Sequence, residues 1–241
     1  MELEWVQSVP KNPERMKEIR KTAESCEMYL TVHAPYFVNL NANEKEKLEA
    51  SKKRILDAME MGQLAGAHSV CVHPAFYLGM EPEKAYENVR KATDDIMSRA
   101  KKKKITINLA FETMGKGTQF GTLEEVLRLS KEFGIYPCID CAHMHARSNG
   151  KWNSKAEWNE MIDLYQKYLG KKSLKHVHMH FSGIEYTEKG ERRHLPLKKS
   201  DSKWKDFIEV LHKRGVEGSI VCESPVMEED TLLMKKTYAR L

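Results

Sequence analysis

Six candidate metal ligands recur along the chain, each at the end of a predicted β-strand. They are His33, His73, Glu112, Asp140, His180 and Glu223, and their residue numbers differ successively by 40, 39, 28, 40 and 43. Most of these intervals match one strand, one helix and two loops, so the pattern predicts repeated βα units and a parallel sheet. In a closed parallel barrel the C-terminal ends of all strands meet at one face. The sequence therefore predicts one pocket lined by three carboxylates and three imidazoles.

Alternating strand and helix patterns predict seven βα units. The strands are predicted at 1–6, 28–34, 69–73, 105–113, 136–141, 174–181 and 219–223, and the helices at 12–24, 44–65, 82–102, 123–133, 155–168, 202–213 and 228–239. An eight-stranded (β/α) barrel closes only with its full set. We therefore expect an α/β barrel that lacks its first βα unit, at the N-terminus. The resulting open sheet edges could be covered by a partner chain.

Composition is typical of one globular domain over residues 1–241. The chain is 41% hydrophobic and 31% charged, and its net charge of +5 permits a polyanionic partner without requiring one. Four of the five cysteines fall in predicted strands, which favours a reducing cytoplasm over a disulfide-stabilised fold. No apolar run approaches the ~18 residues of a membrane helix. We expect a cytoplasmic protein without a membrane partner.

The stretch KHVHMHFS at 175–182 places three histidines on one face of a predicted strand. His176, His178 and His180 alternate with apolar residues. His180 is nearest the strand end, where barrel sites lie, and is the predicted ligand of the three. Asp140 and His143 occur together in CIDCAHMHAR. A carboxylate beside an imidazole is common zinc chemistry, so this pair is a second strong candidate.

Charge in the predicted pocket favours metal ions and a phosphate substrate. Glu112, Asp140 and Glu223 would together carry about −3, and two like charges ~4 Å apart cost about 4 kcal/mol at an effective dielectric near 20. Two divalent ions would change this sum to about +1. Closely spaced metals can hold a phosphodiester for in-line attack. We therefore expect a metal-dependent phosphodiesterase.

Six motifs contain the candidate ligands and extend over much of the chain. In order they are VHAPYFVNL, CVHP, FETMGKGTQFG, CIDCAHMHAR, HMHFSGIEYTEKGERRHLPL and CESP. Their content and order resemble the endonuclease IV family of apurinic/apyrimidinic (AP) endonucleases, especially its archaeal-type members, within the xylose-isomerase-like TIM barrel superfamily. The resemblance implies a TIM barrel that cleaves double-stranded DNA on the 5′ side of abasic sites, in base excision repair. It also implies two or three zinc ions per chain, for which manganese could substitute.

The resemblance implies a metal for each group of ligands. The first metal would take His33, His73 and Glu112, and the second would take Glu112, Asp140, His180 and Glu223. Glu112 would be shared by both metals and essential for catalysis. The third would take His143 and a later Asp-x-His pair, of which only His194 is present.

The resemblance also implies three DNA-binding residues and one alternative metal ligand. Arg192 stands two residues before His194, where a carboxylate is expected, and Glu191 is the alternative carboxylate. Arg192 itself is a predicted DNA contact. Tyr36 is expected to stack at the lesion, because an aromatic ring can replace an extruded base, and Asn39 is expected to hold the loop of Tyr36 and contribute to DNA binding.

Two other functions stay open. A sugar isomerase or epimerase of the same superfamily would use one manganese or magnesium ion and would leave His33, His73 and His143 without a role. A catalytically impaired metal-binding barrel is suggested by the absent first unit and by Arg192. Imidazole-rich sites favour zinc over magnesium, which makes the nuclease the preferred prediction.

Overall fold

The structure consists of seven strand–helix repeats with a few small additional elements. It is a computed structural model that describes every residue, Met1–Leu241. The strands are β1 Glu2–Glu4, β2 Thr31–His33, β3 Ser69–Val72, β4 Ala75–Phe76, β5 Asn108–Glu112, β6 Gln119–Phe120, β7 Tyr136–Asp140, β8 Val177–Phe181, β9 Gly183–Thr187, β10 Gly190–Leu195 and β11 Gly218–Cys222. The α-helices are α1 Pro13–Ser25, α2 Lys45–Leu64, α3 Pro82–Lys102, α4 Leu123–Phe133, α5 Cys141–Arg147, α6 Lys155–Leu169, α7 Trp204–Lys213 and α8 Glu228–Tyr238. The seven predicted βα units are confirmed.

Capping signals in the sequence mark the starts of α1 and α6. Asn12 caps α1 by accepting a hydrogen bond from the backbone N–H of Arg15, and Pro13 occupies the first helical position, where no N–H is needed. Ser154 and Glu157 form a reciprocal capping box at the start of α6. The predicted helices agree with the observed ones within about two residues at each end, although α2, α3, α7 and α8 have no side-chain cap.

Two compact units make up the chain, and the first comprises Met1–Glu112, Thr118–Gly121 and Glu132–Tyr136. In this unit β1, β2, β3 and β5 are parallel and neighbour one another in that order. Gly62 allows α2 to pack closely on these strands, because a Cβ there would lie 3.0 Å from the Ile107 side chain. The parallel arrangement directs the C-terminal ends of β2, β3 and β5 to the same edge of the sheet.

The second unit comprises Thr113–Gly117, Thr122–Lys131 and Pro137–Leu241. Its strands β7, β8 and β11 are parallel and adjacent in that order. The core includes Trp158 of α6, Phe181 of β8 and Phe207 of α7, with Phe181 and Phe207 stacked at a centroid distance of 4.5 Å. This packing places α6 and α7 against the strands and leaves the strand ends for polar side chains.

Three local predictions are wrong. The strand predicted at 174–181 starts only at Val177, because Lys171–Lys175 form a short 3₁₀-helix, and His176 therefore lies outside the strand. The stretch between the strand predicted at 136–141 and the helix predicted at 155–168 contains a short helix, α5, whose start at Cys141 is capped by the Asp140 carboxylate. The loop predicted between β8 and α7 contains the antiparallel hairpin β9–β10. A small hairpin, β4–β6, was also not predicted. The single-domain prediction and the partner chain at a sheet edge stay predictions.

None of the helices is both long and apolar enough to cross a membrane.

Candidate metal centre

The first unit brings together a group that we call the His33 cluster, consisting of His33, His73 and Glu112. Oε2 of Glu112 lies 3.2 Å from Nε2 of His33 and 3.1 Å from Nε2 of His73. Tetrahedral zinc with bonds near 2.1 Å separates its ligand atoms by roughly 3.4 Å. The donor types and spacing therefore fit a zinc ion. The Cys71 thiol donates to the same Glu112 oxygen at 3.2 Å.

Burial and hydrogen bonding orient His33. Its ring is 1% exposed, and Nδ1–H donates to the carbonyl of Ala34 at 2.8 Å, which leaves Nε2 facing Glu112. Burial lowers the pKa of His33, but the hydrogen bond and charge of Glu112 outweigh burial and raise the pKa to about 9. Without a metal, the carboxylate thus pairs with an imidazolium. A metal would have to displace that proton, so binding at this cluster is linked to pH.

Tyr36 lies directly beside the His33 cluster. Its ring meets His33 edge-on at 5.2 Å and stacks on His73 at 5.0 Å, while 47% of Tyr36 is exposed. The side-chain oxygen of Asn39 accepts backbone N–H groups of two residues, one of them in β4, so Asn39 connects two loops. Sequence reasoning overlooked Phe37, which is 60% exposed. A signal existed, since an aromatic residue directly follows Tyr36 in a predicted loop.

The second unit contains the Asp140 cluster, which we define as Asp140, His180 and Glu223. Asp140 and His180 are register partners on β7 and β8, so both side chains leave the same face. Nδ1 of His180 lies 3.2 Å from a Glu223 oxygen and 3.9 Å from Oδ2 of Asp140. Thr113 steadies Asp140, because its hydroxyl accepts from the Asp140 N–H at 2.8 Å and donates to the Asp140 carbonyl at 3.1 Å.

A third group, the hairpin cluster, consists of His143, Glu191 and His194 and also lies in the second unit. One ligand atom from each residue lies within 4.8 Å of the others, and Nε2 of His143 is 3.4 Å from Oε2 of Glu191. Arg192, predicted to contact DNA, is 61% exposed at its side chain and donates to Glu185 at 2.7 Å. It is not a member of the cluster.

The other histidines considered from the sequence lie outside these clusters. His176 is exposed, whereas His178 is buried with its ring 5.2 Å from that of His180. His145 is buried on α5, and its Nε2 pairs with Asp201 at 3.0 Å. The Tyr186 hydroxyl donates to the same carboxylate, and this hydrogen bond raises the pKa of Tyr186 to about 12.

Comparison with known proteins supports the fold and the resemblance. The family model described as xylose isomerase-like TIM barrel matches residues 1–240. An uncharacterized protein of Methanocaldococcus jannaschii is 37% identical over 241 residues, covering 100% of this chain and 87% of that protein. A probable endonuclease 4 of Aquifex aeolicus is 28% identical over 156 residues, covering 64% of this chain and 55% of that protein.

Solved structures share the fold at low identity. Endonuclease IV from Thermus thermophilus superposes with a TM-score of 0.71 at 21% identity, covering 96% of this chain and 82% of that one. A D-tagatose 3-epimerase-like protein gives a TM-score of 0.74 at 17% identity, covering 99% of this chain and 87% of that one. The predicted α/β TIM barrel class and the resemblance to endonuclease IV are both confirmed. The chain therefore belongs to the xylose isomerase-like TIM barrel family and is endonuclease IV-like within it.

Proposed function

We propose that this protein is a zinc-dependent AP endonuclease that cleaves double-stranded DNA on the 5′ side of abasic sites, in cytoplasmic base excision repair. The observation that carries the proposal is the number and kind of grouped donors. Five imidazoles and four carboxylates form the His33, Asp140 and hairpin clusters. One metal ion with at most six ligands cannot use nine donors. At about four ligands each, two zinc ions would use most of the nine donors and three would use all of them.

The histidine environments support zinc as the metal. His33 and His143 each direct Nδ1–H at a backbone carbonyl, at 2.8 Å and 3.0 Å respectively. This arrangement leaves Nε2 as the ligand nitrogen and is how proteins orient zinc-binding histidines. Manganese could replace zinc, since the carboxylates suit it. Bound zinc would supply a Lewis acid and would lower the pKa of water to near neutrality.

The carboxylates provide the charge that holds cations beside a phosphodiester. Glu112 and Asp140 are both fully buried, so an uncompensated negative charge there would be costly. Sharing of Glu112 between the first two metals rests on the family resemblance, as does the 5′ polarity of cleavage. Asp140 also caps α5 through Oδ1, which fixes the direction of its carboxylate.

Exposed side chains would bind the DNA. Tyr36 presents a half-exposed ring next to two proposed ligands, and such a ring can stack where a base is missing. Asn39 keeps that loop in place. Arg192 and Arg193 both project from β10 and share the Glu185 carboxylate, so they can exchange this partner for a DNA phosphate.

The test is cleavage of a duplex oligonucleotide with one abasic site. Glu112→Gln should lose at least ~100-fold in nicking rate, since metal ligation supplies several kcal/mol of transition-state stabilisation. Glu24→Gln is the matched control, because Glu24 is exposed and pairs only with Arg20 on α1. Unimpaired nicking by Glu112→Gln, or no nicking by the zinc-loaded wild type, would reject the proposal.

A single-metal sugar epimerase is the second candidate, favoured by the TM-score of 0.74 to the epimerase-like structure. It would use Glu112, Asp140, His180 and Glu223 and would give the His33 and hairpin histidines no role. Elemental analysis separates the candidates. Two or three zinc ions per chain agree with the nuclease, one manganese agrees with the epimerase, and no bound metal agrees with an impaired barrel.

A further inference from the structure

We propose that Glu191 is the carboxylate ligand of a metal site completed by His143 and His194, and that a β-bulge at Arg192 makes this possible. This inference rests on the proposed function for the identity of the metal, zinc. It assigns a ligand at the point where the chain departs from the Asp-x-His pattern, since Arg192 occupies the expected carboxylate position.

The spacing Glu-x-x-His is unsuitable in a regular strand. Side chains alternate between the two faces, so residues three apart point in opposite directions. In β10, however, Glu191 pairs with Tyr186, while Arg193 pairs with Glu185 and His194 with Ile184. The register shift between Glu191 and Arg193 is a bulge, which absorbs one residue.

The bulge restores a common face for the two ligands. Tyr186 and Ile184, the partners of Glu191 and His194, are two residues apart on β9 and therefore lie on the same face. Arg192 is the residue absorbed by the bulge. Arg192 donates a hydrogen bond to the Glu185 carboxylate at 2.7 Å, and Arg193 donates another at 2.6 Å. Both guanidinium groups are thereby held by a carboxylate that is not part of the cluster.

Hydrogen bonds orient both imidazoles for a metal. Nδ1–H of His143 donates to the carbonyl of Thr113 at 3.0 Å, and its Nε2 faces Glu191 at 3.4 Å. Nδ1 of His194 is 2.6 Å from the hydroxyl of the buried Ser182, which fixes one nitrogen of the ring. Fixing one ring nitrogen in this way is typical of metal-binding histidines.

Two glycines let the hairpin approach the rest of the site. The Glu191 N–H donates to the carbonyl of Gly115 at 3.1 Å. A Cβ at position 115 would lie 2.6 Å from Oε2 of Glu191 and 2.9 Å from the His143 ring, so the absence of a side chain there leaves room for both. Gly190 has a φ of +93°, which glycine adopts without strain, and it turns the chain into β10.

All the residues of this site belong to the second unit, whereas His33, His73 and Glu112 belong to the first. Because the two groups share no ligand, we expect the hairpin site to keep its ion when a ligand of the His33 cluster is removed. Glutamine at position 191 would have nearly the same size as glutamate but no negative charge. A neutral amide oxygen binds zinc much more weakly than a carboxylate, so the three-ligand site should lose its ion.

The experiment measures zinc per chain by elemental analysis after loading with zinc alone and gel filtration. Glu191→Gln should hold about one zinc ion fewer than wild type, and the same loss should be seen in a Glu112→Gln background. Glu188→Gln is the matched control, since Glu188 is exposed in the turn between β9 and β10 and lies outside the cluster. It should retain the wild-type zinc content. Circular dichroism verifies that each variant is folded.

The outcomes separate this inference from the proposed function. A folded Glu191→Gln protein with the wild-type zinc content would overturn the assignment, even if abasic DNA is nicked normally. A loss of one zinc ion confined to Glu191→Gln would support it, even if no variant nicks abasic DNA. Equal zinc loss in Glu188→Gln would also overturn it, because a general loss of charge on the hairpin rather than the Glu191 ligand would then be responsible.

Discussion

The His33 cluster and the hairpin cluster present similar side chains on very different supports. His33 and Glu112 are the last residues of β2 and β5, and His73 directly follows β3. His143 lies on the seven-residue helix α5, while Glu191 and His194 lie on a bulged hairpin between β8 and α7. The first cluster is positioned by the sheet itself. The second requires a helix cap, a bulge and two closely placed glycines.

This difference predicts different sensitivities to mutation. A ligand at the end of a buried strand is held by the register of its neighbours, so a change in a loop leaves it in place. A ligand on a hairpin depends on each contact that holds the hairpin. We therefore expect the His33 cluster to fail mainly when a ligand is removed. The hairpin cluster should also fail when a supporting residue is changed.

Removal of one ligand from each cluster should have the largest effect. We expect His33→Ala to lower abasic-site nicking by at least ~100-fold, because a lost ligand removes several kcal/mol of transition-state stabilisation. His143→Ala should instead release only the hairpin zinc. Nicking rate and zinc content are measured together, with exposed His176→Ala as the control. If His33→Ala and His143→Ala lost the same ions, the two clusters would not be independent.

Gly115→Ala tests the close approach of the hairpin. The new Cβ would come 2.6 Å from Oε2 of Glu191, so we expect a loss of about 1–3 kcal/mol in the free energy of unfolding and a loss of zinc at the hairpin. Gly117→Ala is the matched control, since a Cβ there has no neighbour within 4 Å. Urea unfolding and elemental analysis give the two readouts. Equal unfolding free energies and zinc contents in the two variants would contradict the close packing of the hairpin against Gly115.

Ser182→Ala tests the orientation of His194. Without the hydroxyl at 2.6 Å, the ring loses the partner of Nδ1, and we expect the zinc affinity of the hairpin site to fall about 10-fold to 100-fold. Titration of the metal-free protein with zinc measures this change. Ser173→Ala, which removes only a hydrogen bond to the Gly170 carbonyl, should leave the affinity unchanged. An unaltered affinity in Ser182→Ala would show that His194 needs no such support.

Asp201→Asn should have the smallest effect. We expect the free energy of unfolding to fall by less than about 1 kcal/mol, because the exposed Asp201 carboxylate is screened by solvent. Burial opposes ionisation, but hydrogen bonds from Tyr186 and His145 lower the pKa of Asp201 below 3.8. Its contribution to stability is therefore present above about pH 4 and disappears as the pH falls through the lowered pKa.

The measurement for Asp201→Asn is the difference in unfolding free energy from wild type at pH 7 and at pH 3. The difference should be larger at pH 7. Asp201 connects α5 to β9 through His145 and Tyr186. A difference in unfolding free energy that grew on acidification would show that the ionised Asp201 carboxylate does not stabilise this connection.

The sequence predicted the position of a residue best where that residue lies near the end of a strand with a clear apolar pattern. The structure places His33 and Glu112 at the last residues of β2 and β5, and His180 one residue before the end of β8, as the apolar strand patterns indicated. Their role as metal ligands stays a prediction. The sequence offered Glu191 only as an alternative carboxylate. A bulge depends on pairing with a second strand, which the pattern of one segment does not contain, so the direction of the Glu191 side chain could not be predicted.

By itself, the sequence determined the seven βα repeats, the bounds of their seven predicted helices to within about two residues, and the residues near the strand ends, because hydrophobic periodicity and strand alternation are local properties. Only the tertiary structure decided that Glu191 faces His143, that Arg192 faces Glu185, and that Thr113 supports Asp140. These contacts join residues that lie between 7 and 48 positions apart. Their geometry depends on how hairpin, helix and loop pack together, which no local pattern encodes.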